Sequence, residues 1–209
     1  LPGSGGSGVP DAMVETTPAP AAVFEPTVGG AIASTNLTTL GKLDWVHWGY
    51  GRNVMAINRK RNVTPLVSTF TKIGSRPLGT YNDRPSAHSW SDGQPNTSIT
   101  NTQDGMVTGD AVGGGFEVRI TGSSQVIRHV RVYVGAWEAA AKMTVQLENS
   151  GLAAWTDKSL VAQGLSADRT YTFAFRPKRD GDALVIRWTV DQLFHMYGNV
   201  TLQAAALWD

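Results

Sequence analysis

Tyr171-Thr172-Phe173-Ala174-Phe175-Arg176 and, shortly after it, Leu184-Val185-Ile186-Arg187-Trp188-Thr189-Val190 decide the fold. In the first run Tyr171, Phe173 and Phe175 alternate with Thr172, Ala174 and Arg176. In the second, Leu184, Ile186, Trp188 and Val190 alternate with Val185, Arg187 and Thr189. A period of two sends alternate side chains to opposite faces of an extended strand, so each run offers one apolar face to a core. Asp180-Gly181-Asp182 between them supplies the turn chemistry that ends one strand before the next begins.

Working outward, the same alternation recurs at Phe116, Val118 and Ile120, at Met143, Val145 and Leu147, and at Val200, Leu202, Ala204 and Ala206. Glu138-Ala139-Ala140-Ala141-Lys142 is the best helical candidate, with a Glu-to-Lys pair four apart. Five residues do not hold a helix alone, so a turn or single helical loop is expected there. Some ten short strands with one apolar face each must pair and stack. The expected class is all-β, a two-sheet antiparallel β-sandwich of jelly-roll type.

Residues 1 to 26 read as a linker and tail, and residues 27 to 209 as the β-sandwich module. Leu1 to Gly8 form a Gly/Ser spacer, Asp11-Ala12-Met13 reads as a cloning junction, and Thr16 to Ala22 are rich in Pro, Thr and Ala. A tether of this kind implies a neighbouring catalytic or surface domain. The formal net charge of +1 argues against a nucleic-acid partner. The absence of cysteine removes disulfide and thiolate-metal chemistry. No apolar run approaches the roughly 18 residues of a membrane span, and no signal peptide is present. The expected context is secreted or cell-surface.

Seven tryptophans are more indole than a core of this size requires. Trp48 lies in Asp44-Trp45-Val46-His47-Trp48-Gly49-Tyr50, and Trp90 in His88-Ser89-Trp90-Ser91-Asp92-Gly93, near Arg84. Flat rings among short polar groups suit a sugar, which offers one C–H face and a rim of hydroxyls. His47, Trp48, Tyr50, Arg84, His88, Trp90 and Asp92 are therefore candidate ligand contacts. Extended geometry splits Trp45 and His47 from Trp48, so at least one of these indoles belongs to the core, as does Trp188. For the loop from Tyr81 to Gly93 a structured turn with Trp90 packed beneath it stands beside the binding reading.

Between Ile127 and Trp137, Val130, Val132 and Val134 make a core face, while His129, Arg131, Tyr133 and Trp137 occupy the other side. If Gln146, Glu148, Arg176 or Arg187 fall on that side, a groove results in which Arg131, Tyr133 and Trp137 bind a glycan lengthwise. Cross-strand pairing on a solvated face is the competing account. The trio His129, Arg131 and Tyr133 is also the best enzymatic candidate, as a polysaccharide lyase. No nucleophile elbow, zinc motif or recognisable carboxylate pair appears, so catalysis is not expected and no cofactor is required. A structural calcium remains open, with Asp104, Asp110, Asp157, Asp180 and Asp182 as candidate ligands.

Four segments, Leu43 to Gly49, Ser89 to Gly93, Val132 to Trp137 and Gly198 to Leu202, together resemble a β-sandwich module of secreted, mostly bacterial, multidomain proteins. In outline the chain from residue 28 to 208 is similar to jelly-roll carbohydrate-binding modules of the galactose-binding-like type. The resemblance implies the fold and a secreted context, while the aromatic and polar candidates and the tether point to a non-catalytic module that docks a tethered enzyme or surface protein on a polysaccharide or glycan. A structural or adhesive sandwich domain is the alternative.

Overall fold

A computed structural model describes residues 20–109 and 111–209. Along the chain come β1 (Val23–Gly29), β2 (Ser34–Asn36), the one-turn helix α1 (Leu37–Leu40), β3 (Asp44–Trp48) and β4 (Ile57–Lys60). Next are β5 (Thr71–Ile73), β6 (Gly79–Tyr81), β7 (Ala87–Trp90), β8 (Gly93–Gln94), β9 (Ile99–Thr102) and β10 (Gly105–Gly109). The long strands follow: β11 (Gly115–Thr121), β12 (Arg128–Leu147), β13 (Trp155–Asp157), β14 (Val161–Arg176), β15 (Ala183–Leu193) and β16 (Asn199–Trp208). The all-β jelly-roll sandwich expected from the alternating runs is what forms.

Its two main layers are one hydrogen-bonded sheet of 13 strands, folded over at a corner in β12. The first half of β12, Arg128 to Trp137, pairs with β14 and β16. The second half, Ala139 to Leu147, pairs with β13 and β15. Layer one therefore runs β1-β14-β12-β16-β3-β4-β8, and layer two runs β5-β11-β15-β12-β13. The corner is Glu138, at φ +46, where the register with β14 shifts. The segment 138–142 is thus strand, not the helical loop expected. Ala139 and Ala141 are fully buried, and their small side chains let two flanking strands close on the bend.

Between the layers lies the main core, with Phe116, Ile120, Val130, Met143, Tyr171, Phe173, Trp188 and Leu202 among its buried members. Trp188 crosses it from layer two to donate from Nε1 to the Gly135 carbonyl of layer one, at 3.0 Å. Chain ordering also starts earlier than read. β1 pairs with β14 from Val23, not Thr27, because Phe24 stacks on Phe173 at 5.9 Å. The Gly/Ser spacer and the Pro/Thr tether as far as Ala19 lie outside the described residues, as does Asp110.

A second, three-stranded sheet, β2-β7-β9, contains a parallel pair, β2 with β7. It sits on the outer face of layer one and closes a smaller core of Leu37, Trp45, Trp90, Tyr133, Ala204 and Ala206. This explains β3, in which all five residues are buried. Val46 and Trp48 face the main core, and Trp45 faces the smaller one.

Candidate functional site

The two cores decide where most of the aromatic candidates go. Trp48 is fully enclosed in the main core, and Trp90 packs in the smaller one at 5.3 Å from Trp45. His47 and His88 are fully buried 5.6 Å apart, with Tyr133 edge-on to His88 at 4.7 Å. Tyr50 meets Trp90 edge-on. Trp48, Trp90 and Tyr133 are at most 2% exposed and cannot stack on a sugar from outside, which corrects the stacking role read for them, whereas Tyr50 is only half-buried. Truncating a buried tryptophan leaves a hole costing about 3–5 kcal/mol. An alanine at Trp48 or Trp90 would therefore probe packing and not a sugar contact.

Asp92 is a brace. It accepts from Thr38 Oγ1 at 2.5 Å, Trp45 Nε1 at 2.9 Å and Lys60 Nζ at 2.5 Å, tying α1, β3 and β4 together. Burial pushes its carboxyl up, but the hydrogen bonds from Lys60, Thr38 and Trp45 outweigh that and hold it below the ordinary value. The loop from Tyr81 to Gly93 ends as the structured turn, with the Trp90 indole donating to the Asn96 carbonyl.

The groove read along 127–137 is also redrawn. Arg131 bonds Thr172 and lies over Trp208, and Tyr133 is covered by the small sheet. Gln146 and Arg187 belong to layer two, past the corner, so they never share a face with Arg131. Glu148 pairs with Arg119, and Arg176 donates to the Ala21 carbonyl. With Tyr133 only 1% exposed, the trio with His129 and Arg131 presents no reachable acid–base set. Asp104, Asp157, Asp180 and Asp182 accept hydrogen bonds from Gly51, Tyr171, Ser124 and Asn149 respectively. Among the described residues no three His, Asp or Glu side chains are placed to hold a metal ion.

Two of the candidates do meet at a surface. Arg84 and Trp137 line one cleft of about 300 Å³ on the uncovered end of layer one, together with Tyr81, Asp83, Ser166 and Asn199. Thr201 and Val107 form part of its floor. The bulge after Trp137 aims the indole, since the positive φ at Glu138 turns the chain away while the Glu138 carbonyl is held by Phe194 N–H at 2.9 Å. Trp137 is half-buried, with His195 edge-on at 5.5 Å and Tyr197 a further 5.5 Å along. Tyr197, 62% exposed, lines an adjoining hollow of about 220 Å³ that shares Val107 and Asn199 with the cleft.

Behind the cleft lies a buried ion pair. Arg84 Nη1 is 3.8 Å from Asp168 Oδ1, both side chains being 3% exposed. The guanidinium also donates to the Ala136 carbonyl at 3.0 Å and lies over the Tyr81 ring. Burial pushes the Asp168 carboxyl above its ordinary value, against the opposing charge of Arg84 and the pull of nearby Ser86. Gly135 makes this possible, because a Cβ there would come within 2.6 Å of Asp168 Oδ1 and 2.8 Å of Thr201 Oγ1. The loop 82–86 is pinned over the pair by Gln103 Nε2 on the Arg84 carbonyl and Gln203 Nε2 on the Ser86 carbonyl. Asp168, Tyr197 and Ser166 were not singled out from sequence and Asn199 was not read as a ligand contact; only topology gathers them at the cleft.

No family model matches the chain, and no curated protein sequence matches it. Among solved structures it is similar to the enzymatically active domain of bacteriophage CBA120 tailspike protein 4, with 12% identity and a TM-score of 0.44. That match covers 77% of this chain, which spans only 20% of the tailspike structure. The CBM22-1 xylan-binding domain of Paenibacillus barcinonensis Xyn10C is similar at 10% identity and a TM-score of 0.36, over 66% of this chain and 83% of that one. A cyclase from Fischerella sp. TAU is similar at 12% identity and a TM-score of 0.37, over 78% and 83%.

Proposed function

We propose that the chain is a non-catalytic carbohydrate-binding module whose site is the Trp137 cleft. The observation that carries this reading is one half-open indole at the mouth of a polar cleft. Trp137 offers a stacking face, while Asn199, Ser166 and Asp83 offer donors and acceptors around it. A pyranose needs both, and the exposed Tyr197 extends the aromatic rim towards a second sugar unit. Arg84 and Asp168 hold the wall rigid, so little ordering entropy is lost on binding. A tethered enzyme or surface domain would gain residence on a polysaccharide through effective concentration, which suits a weak site in an exported protein.

Hydrolysis is the less favoured chemistry for this cleft although two carboxylates lie near it. Asp168 is sealed behind Arg84, where no glycosidic oxygen reaches it. The burial of Trp45, Trp48, Trp90 and Trp188 favours a second reading, a structural or adhesive domain that binds no sugar.

Affinity electrophoresis against a panel of neutral plant and bacterial polysaccharides separates the two. The module should be retarded by at least one polymer. Trp137→Ala should weaken that retardation about tenfold, as expected for roughly 1.4 kcal/mol of stacking. A protein that migrates freely through every gel is the adhesive domain.

A further inference from the structure

We propose that the outer face of layer two is a second binding site, distinct from the Trp137 cleft, that takes an acidic glycan. Four neighbouring strands, β5, β11, β15 and β12, line a hollow there of about 460 Å³. The strand register places Glu117, Arg187 and Thr144 in one row and Gly115, Thr189 and Lys142 in the next. Lys72 stands at the edge, where its Nζ donates to the Arg76 carbonyl. Two cations, Arg187 and Lys142, thus share this face with one carboxylate, and Lys72, paired in register with Phe116, reaches the hollow from its rim.

Glu117 does not neutralise the site. It accepts from Arg187 Nε at 2.7 Å, and the Arg187 side chain remains 50% exposed against 19% for Glu117. This orients the guanidinium while leaving N–H groups free to face a ligand. Among the described residues Lys142 makes no ion pair. At the rim Gly113, at φ +85, would have nothing within 4 Å of an added Cβ, so the hollow is open on that side.

The chemistry of the lining selects the ligand class. A uniformly basic face would suit any polyanion, and a nucleic acid would want aromatic platforms among the cations. This hollow has none. It interleaves Thr144, Thr189 and the Glu117 carboxylate with the cations, so hydroxyl partners sit beside charge partners. A DNA backbone offers charge but no row of free hydroxyls to pair with Thr144 and Thr189. A polyuronate carries carboxylates and free hydroxyls together and uses both. The Trp137 cleft differs in character: its one guanidinium is paired with Asp168, and Asp83 adds further negative charge.

The test uses three probes: polygalacturonate, neutral dextran, and a single-stranded DNA of matched charge. The wild-type protein should bind polygalacturonate, more weakly as salt rises, and bind neither dextran nor the DNA through this face. Lys142→Glu should weaken polygalacturonate binding at least tenfold, and Lys72→Glu on a separate strand should act in the same sense. Trp137→Ala should leave it unchanged, which separates this site from the cleft. Absence of polygalacturonate binding, equal binding of the DNA, or indifference to both charge reversals overturns the proposal.

Discussion

Lowering the pH from 7.5 to 5 should destabilise this fold through two histidines it has sealed away. His47 and His88 are fully buried in the smaller core. Burial pushes His47 down to about 3, against a weaker pull from the Asp104 backbone, and holds His88 well below its ordinary value, with His47 adding to the effect. The unfolded chain takes up a proton on each ring near 6.5, while the folded chain refuses it. The stabilisation is therefore full above pH 6.5 and drains away as pH falls towards 3. At pH 5 the unfolded His47 is some 1.5 units below its pKa, which at 1.36 kcal/mol per unit is a loss of about 2 kcal/mol. His88 adds to it in the same sense. Asp44 and Asp168, both raised chiefly by burial, work the other way, because a folded carboxyl of raised pKa takes up protons more readily than the unfolded one. The comparison must therefore be with a variant. His47→Leu keeps the volume and removes the titration. In urea melts at the two pH values, the stability gap between wild type and variant should shift by about 2 kcal/mol in favour of the variant at pH 5. That is close to 1 M in midpoint at a slope of roughly 2 kcal/mol/M. A shift below about 0.5 kcal/mol, within ordinary surface-substitution noise, would refute the argument.

Three further outcomes follow from the brace, the ion pair and the indoles. Asp92→Ala strips Thr38, Trp45 and Lys60 of their shared acceptor and should cost about 3 kcal/mol in a urea melt, with the near-ultraviolet signal of the Trp45–Trp90 pair reduced. Arg84→Met leaves the Asp168 carboxylate buried without its partner and should cost about 3–5 kcal/mol. Adding Asp168→Asn should return a large part of that, measured as a double-mutant cycle. Acrylamide should quench the native fluorescence weakly, since four of the seven indoles are enclosed and the other three are half-buried. Quenching as strong as in the urea-unfolded chain would contradict the two-core packing.

The alternation in β11, β14, β15 and β16 was legible because each of these strands has at least one apolar face and a regular period. β3 was legible only as far as the split of Trp45 from Trp48; a strand buried on both sides carries large rings on both, so its His47 and Trp48 were also read as ligand contacts. The same cause misled the reading of Tyr133, whose side of β12 is roofed by the small sheet. Glu138 hides the corner: nothing in a run of alanines signals a positive φ, and only the pairing with β14 and β15 on either side imposes it. Of the site, Arg84 and Trp137 were singled out for their chemistry. Asp168, Ser166 and Asn199 are ordinary polar residues that acquire meaning only when β14 and β16 bring them beside Trp137.

The register of layer one also says where the two described chain ends lie relative to the cleft. Val23 is paired with Arg176, and Trp208 with His129, at one end of the layer. Trp137 and Asn199 are paired at the other end, eight residues further along β12, or roughly 25 Å away. Polypeptide arriving at Val23 and polypeptide leaving at Trp208 thus share one pole, and the Trp137 cleft occupies the opposite pole. Neither of the two described chain ends therefore obstructs the cleft mouth.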